Sequence, residues 1–154
     1  MAPLPSLSFR LLDAHVIAGR ADDLALSDAE GSLTYAQLLH ESASVAGGLR
    51  QLGVEPGGAV HLDVAGRAHV LVVLALVRLE ARLDPDASVR VAGDPPVVHV
   101  GEDSFPWEVF LSAGRSDPAP APRFDDPSYT QEVLASYADV LEPLLEGRPL
   151  TYGP

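Results

Sequence analysis

The sequence predicts one α/β domain with a partly parallel central sheet flanked by helices and an N-terminal hairpin. Three observations predict it. Between Leu24 and Leu83, short runs of period two alternate with longer runs of period 3.6. Turn chemistry separates them, at Asp28-Ala29-Glu30-Gly31 and again at Pro56-Gly57-Gly58. The chain has 154 residues, 47% of them hydrophobic, enough to bury a core without disulfides or metal. The domain is placed at residues 8–150, behind a flexible lead of Met1–Leu7 that carries two prolines.

The elements follow in order. Phe9, Leu11, Leu12, His15, Val16 and Ala18 recur at helical spacing, with Gly19 as a stop. Leu24–Ser27 and Ser32–Tyr35 make a hairpin, Gly31 taking the positive φ of its turn. Thr34 and Gln37 fit a capping box. Leu38, Val45, Leu49 and Leu52 then form one stripe of an amphipathic helix closed by Gly53. Gly47 and Gly48 inside it cost about 1 kcal/mol each against alanine, and mark either close backbone packing or plain tolerance. Ala59–Val64 is a strand. Ala68 to Arg82 is a helix apolar on nearly every face, so it is expected to be buried on several sides; its β-branched content leaves a strand reading open.

After Leu83 the pattern thins. Val89–Val91 and Pro96–Val100 read as short strands, the second interior. Phe105–Leu111 is aromatic-rich and of open class. Gly114–Pro122 holds three prolines in nine residues and reads as an extended connection. Asp126 caps a final helix with Pro127 in its first turn. Val133, Tyr137, Val140, Leu141 and Leu144 form its buried stripe, and Pro143 ends its regular part.

Composition narrows the function classes. No cysteine is present, which removes disulfides, thiolate nucleophiles and sulfur-ligated zinc. Twenty-two acids oppose ten arginines for a net charge of −12, a surface that repels nucleic acid and anionic membrane. There is no lysine at all. The longest near-apolar run, Val70–Val77, is far short of the ~20 residues that cross a bilayer, and no basic segment precedes an apolar run at the N-terminus. A cytoplasmic protein is expected.

Leu33-Thr34-Tyr35-Ala36-Gln37-Leu38, followed by Leu49-Arg50-Gln51-Leu52-Gly53-Val54-Glu55-Pro56-Gly57-Gly58-Ala59-Val60, resembles the opening of adenylate-forming enzymes. That superfamily includes acyl- and aryl-CoA synthetases, luciferases and nonribosomal-peptide adenylation domains. Their large N-terminal domain begins with a strand pair, an LTY-x-x-L helix start, a helix ending L-G-V-x-P-G-D and a strand opening with Val. The match covers about residues 22–85, the family-like core. Two departures fall within it: Gly58 replaces the usual acid, and Glu80 stands where a small Ala-Gly pair would place its glycine. The resemblance implies an ATP-binding loop ending in lysine and a second, C-terminal-domain lysine. Neither has a counterpart here, so no catalytic, cofactor-binding or metal residue is carried over and no cofactor is expected. Asp126–Val133 before a leucine-rich helix is similar to the tail of short actinobacterial proteins that keep only the first part of the adenylating domain.

Other chemistry is thin. His61-x-Asp63 presents two side chains on one strand face, too few ligands for a metal. His69 and His99 lie in apolar surroundings and read as structural. The acid pairs Asp22-Asp23, Glu102-Asp103 and Asp125-Asp126 sit beside turn residues and read as solvated or capping groups. Arg67, Arg78, Arg82 and Arg90 lie in no phosphate-cradling loop. Three function classes stay open: a non-catalytic binding or regulatory module (a pseudoenzyme), one subunit of a split AMP-forming ligase, and an enzyme of unrelated chemistry. The apolar helix needs cover from Phe105–Leu145 or from a second chain, so a homodimer or a protein partner is expected.

Overall fold

A computed structural model describes residues 4–152. It is a mixed α/β structure with a partly parallel sheet flanked by helices. By internal contacts it divides into two compact units, one formed by residues up to His40 and from Ala121 on, the other by Glu41–Pro120.

In the first unit, Phe9–Asp13 and Val16–Arg20 form two π-helical turns, and Gly19 takes the left-handed φ of 91°. Leu11 and Leu12 are buried. Of the expected flexible lead, Met1–Pro3 lie outside the described residues; Pro5 bridges Phe124, and Leu7 is buried. β1 (Leu24–Asp28) and β2 (Gly31–Thr34) are the expected hairpin, with Glu30 N–H on the Asp28 carboxylate (2.9 Å) and Gly31 at φ 125°. β8 (Leu150–Thr151), which no sequence signal marks, adds to β1 in parallel, Leu26 opposite Leu150. The last helix is in fact two, α4 (Pro127–Ser136) and α5 (Ala138–Leu145), parted at Tyr137 (φ −128°, ψ 35°). Asp126 accepts from Tyr129 N–H (3.3 Å), as a cap should. Pro143 lies inside α5 rather than at its end.

α1 (Tyr35–Gln51) begins in the first unit. Its capping box is complete: Thr34 N–H bonds Gln37 Oε1 (2.9 Å) and Gln37 N–H bonds Thr34 Oγ1 (3.2 Å). The expected single stripe is too narrow, because residues 42–49 are all buried. Six of those eight are Ser, Ala or Gly, small enough to let neighbours approach from several directions.

The second unit contains β3 (Ala59–Asp63), α2 (Gly66–Leu79), β4 (Arg82–Leu83), β5 (Val89–Ala92), β6 (Val97–Val100), β7 (Asp103–Pro106) and α3 (Trp107–Arg115). Its sheet runs β4-β3-β5-β6-β7: β4 and β5 flank β3 in parallel, and β5-β6-β7 is an antiparallel meander. β6 is interior, as expected. The aromatic stretch of open class divides at Pro106, which ends β7 and precedes α3. α2 is helical, and every residue from Val70 to Leu79 is buried. It packs on β3 and β4, while the Arg78 guanidinium, itself buried, donates to the Ala119 carbonyl (2.6 Å). The proline-rich segment after α3 thus supplies part of the cover that this helix requires.

α2 stops three residues short of the expected Arg82. Glu80 turns left-handed (φ 55°, ψ 41°); its N–H bonds Val77 O (3.2 Å) and Ala81 N–H bonds Leu76 O (2.8 Å). This is the hydrogen-bond pattern in which glycine ordinarily ends a helix. α1 ends identically at Gly53 (φ 97°), through Gly53 N–H to Arg50 O and Val54 N–H to Leu49 O, both 3.0 Å. Glu80 therefore takes a conformation that glycine would adopt without strain.

Candidate functional site

Two groups of chemistry-bearing side chains come together, one in each unit. In the first unit, His15, Arg20 and Tyr35 gather the carbonyls that follow and end α5. His15 Nε2 donates to Leu144 O (2.7 Å), Arg20 Nη2 to Gly147 O (2.7 Å), and Tyr35 Oη to Arg148 O (3.2 Å). The imidazole lies 4.8 Å from the Tyr35 ring, the Arg20 guanidinium 5.7 Å from it, and Arg20 Nε also pairs with Asp23 (2.7 Å). Burial pushes the Tyr35 phenol above its usual range; the Arg20 charge opposes that rise and the Asp23 charge adds to it. One donor from each of the three side chains is spent on a main-chain oxygen, so the group acts as a C-terminal cap for α5 and ties this segment to the rest of its unit.

The second group lies on the sheet of the second unit. Strand register sets His61 on β3 opposite Arg90 on β5, Arg90 opposite His99 on β6, and His99 opposite Ser104 on β7. Paired residues project to the same side, so the four form one row across the sheet, with neighbouring strands about 4.8 Å apart. The next row, Leu62-Val91-Val98-Phe105, points the opposite way and carries the apolar side. Arg90 and Ser104 are exposed and the two histidines half-buried, so this face of the sheet meets solvent. Ala59, Ala92 and Val97 flank the row on the same face.

The remaining sequence candidates stay apart. Asp63 shares the row's face but makes no bond to His61, and among the described residues no three His, Cys, Asp or Glu side chains are placed to hold a metal ion. His69 is half-buried near the start of α2. Asp23 and Asp125 are taken by Arg20 and Arg10 (2.7 and 2.9 Å), and Asp126 caps α4. Glu102 and Asp103 are exposed at the β6–β7 turn. From the aromatic stretch, Phe110 is buried and Trp107 lies 5.6 Å from it, a packing role. Sequence reasoning singled out His61, Arg90 and His99 separately but missed the row. Each strand's period of two was legible; the register that brings them abreast was not.

No family model matches the chain. A stretch of 73 residues, 45% of the chain, is 40% identical to nonribosomal peptide synthetase 8 of Aspergillus fumigatus, of which it spans 1%. Among solved structures, a benzoate CoA ligase from Burkholderia xenovorans LB400 superposes on 79% of the chain with a TM-score of 0.54 at 16% identity. The anthranilate CoA ligase AuaEII, determined with anthranoyl-AMP, superposes on 57% at a TM-score of 0.47 and 23% identity. The chain spans only 30% and 17% of these two ligases. The fold is thus similar to part of a benzoate CoA ligase, and 73 residues are similar to a stretch of a nonribosomal peptide synthetase.

Proposed function

We propose that this chain, on its own, is a non-catalytic member of the adenylate-forming superfamily, a cytoplasmic module that binds a protein partner or a second copy of itself. The observation that carries the reading is the composition: there is no lysine among its 154 residues. Transfer of an adenylyl group needs cations and oriented donors around the phosphates, because charge stabilisation supplies most of the rate. Half of the ten arginines are already engaged. Those at 10, 20, 50, 115 and 148 are held in ion pairs with the chain's own acids, and the net charge of −12 repels a polyanionic nucleotide.

A second reading is favoured by the sheet edge. β4 contributes only Arg82 and Leu83, and it ends the sheet on that side. A strand from another polypeptide could pair there and complete a split ligase. Calorimetry with ATP and carboxylate-dependent pyrophosphate exchange test both readings. The chain alone should give no micromolar ATP affinity and no exchange above background. Micromolar ATP affinity, or exchange with any acyl or aryl acid, overturns the non-catalytic reading. Exchange that appears only on adding a second polypeptide selects the split enzyme.

A further inference from the structure

We propose that the row His61–Arg90–His99 is a binding site for a small oxyanion, a carboxylate or a phosphate, on the open face of the sheet. The inference is independent of whether the chain is a module or part of an enzyme. Its starting point is a mismatch in charge pairing. The chain has 22 acids for ten arginines, so an arginine here rarely lacks a carboxylate. Arg90 is the one arginine with no ion pair, hydrogen bond or ring contact among the described residues. In place of an acid, its nearest cross-strand neighbours are two imidazoles, equally without partners.

The row thus sets one guanidinium between two imidazole rings, all within about 10 Å and with no carboxylate directly opposite. A small oxyanion supplies the missing partner. It can accept the planar fork of Arg90 and one N–H from the imidazole on either side, which is how guanidinium and imidazolium recognise carboxylate and phosphate. Ser104, the fourth member, adds a hydroxyl at the end of the row. The half-buried ring edges beside Ala92 and Val97 lower the local polarity and strengthen such bonds.

Two charged groups from neighbouring positions share the face. Asp63 stands two residues beyond His61 on β3, diagonal to Arg90, and opposes an anion; Arg82 on β4, opposite Ala59, favours one. The overall charge of −12 also opposes, but its distant part is screened beyond about 8 Å at physiological salt. Contact donors therefore outweigh it for a small ligand. A long polyanion would have to cross the acidic surface around the row, so nucleic acid is not the occupant.

The test is NMR of the whole chain with labelled histidine, at about pH 6. Phosphate, acetate and sodium chloride are titrated at matched ionic strength, with H61Q and H99Q assigning the resonances. The Cε1–H signals of His61 and His99 should move saturably with the oxyanions, while those of His15, His40 and His69 stay with the chloride control. R90Q should weaken the effect about 10-fold. Because Arg90 is exposed, its variant should keep the wild-type urea midpoint; H61Q offers a second, independent loss of binding. Saturation by phosphate alone assigns a phosphate ligand, and saturation by both assigns the wider oxyanion class. The proposal is overturned if all five histidines move together, if R90Q titrates like wild type, or if a DNA duplex displaces phosphate.

Discussion

Replacing Gly47 by alanine separates two effects of opposite sign. In an exposed helix the change would stabilise by about 1 kcal/mol, from backbone entropy alone. Here α1 lies so close to the end of α3 and the segment after it that a methyl at residue 47 would overlap the Asp117 carbonyl oxygen, sit 2.9 Å from its carbon and 3.2 Å from Gly114 O. Gly114 is the reciprocal case, its methyl meeting Ser44 O. Neither carbonyl is the far end of a flexible side chain. Asp117 is held through its own N–H on Gly114 O (3.1 Å) and by Arg50 on its carboxylate (3.1 Å), and Ala119 N–H bonds Ala43 O (3.0 Å) nearby. Relief requires parting two backbones and giving up these bonds. Overpacking of this kind costs about 3 kcal/mol at the upper end of its usual range. The net expectation for G47A and G114A is a loss of about 2 kcal/mol. G48A should cost less, because the nearest atoms its methyl meets all belong to the Phe110 ring, at 2.7 Å and beyond, and a ring can swing. Urea unfolding read by far-UV dichroism and by Trp107, the single tryptophan and part of α3, measures all three. With a slope of about 2 kcal/mol per molar, the first two midpoints should fall by about 1 M. A G47A midpoint at or above wild type would refute the close-crossing account and leave only tolerance of glycine.

Two further expectations follow from the backbone and from a buried phenol. E80G should be more stable than E80A by about 1 kcal/mol, since both lose the same side chain and only glycine escapes the left-handed penalty at φ 55°; equal midpoints would mean that residue 80 is not left-handed. Burial raises the Tyr35 phenol above 10.0, so the unfolded chain ionises first as the solution becomes alkaline. The stabilisation from a neutral Tyr35 is therefore complete below about pH 10 and is lost as pH rises through the higher folded value. Y35F, which also gives up the 3.2 Å bond to Arg148 O, should flatten that part of a thermal-melting profile relative to wild type; an unchanged alkaline slope would place the dependence elsewhere.

Local chemistry was legible wherever it settles its own geometry. The Thr34–Gln37 box, the Asp126 cap, the positive φ at Gly31 and the left-handed Gly53 each involve residues within a few positions of one another. The all-apolar run of α2 was legible as a helix buried on several sides by its length, although its β-branched content left a strand open. What escaped was decided at a distance. β4 and β8 have two residues each and exist because β3 and β1 offer them an edge. Residues 103–106 carry too little alternation to announce a strand, and pairing with β6 makes them one. Gly47 and Gly48 left close approach and tolerance open until Gly114, some sixty-five residues on, was brought against them.

The row on the sheet is the clearest instance of that limit. Period two tells which face of its own strand a residue occupies and nothing about its neighbour on the next strand. His61, Arg90 and His99 lie on three strands joined by one crossover and one tight turn, so three faces and two registers had to agree. A slip of one residue between β5 and β6 would set Arg90 beside Val98 or Val100 and disperse the charge. The apolar row Leu62-Val91-Val98-Phe105 on the other side resists such a slip, because moving it would turn valines to water. The core that holds the sheet in register thus also holds an arginine and two imidazoles abreast on its open face.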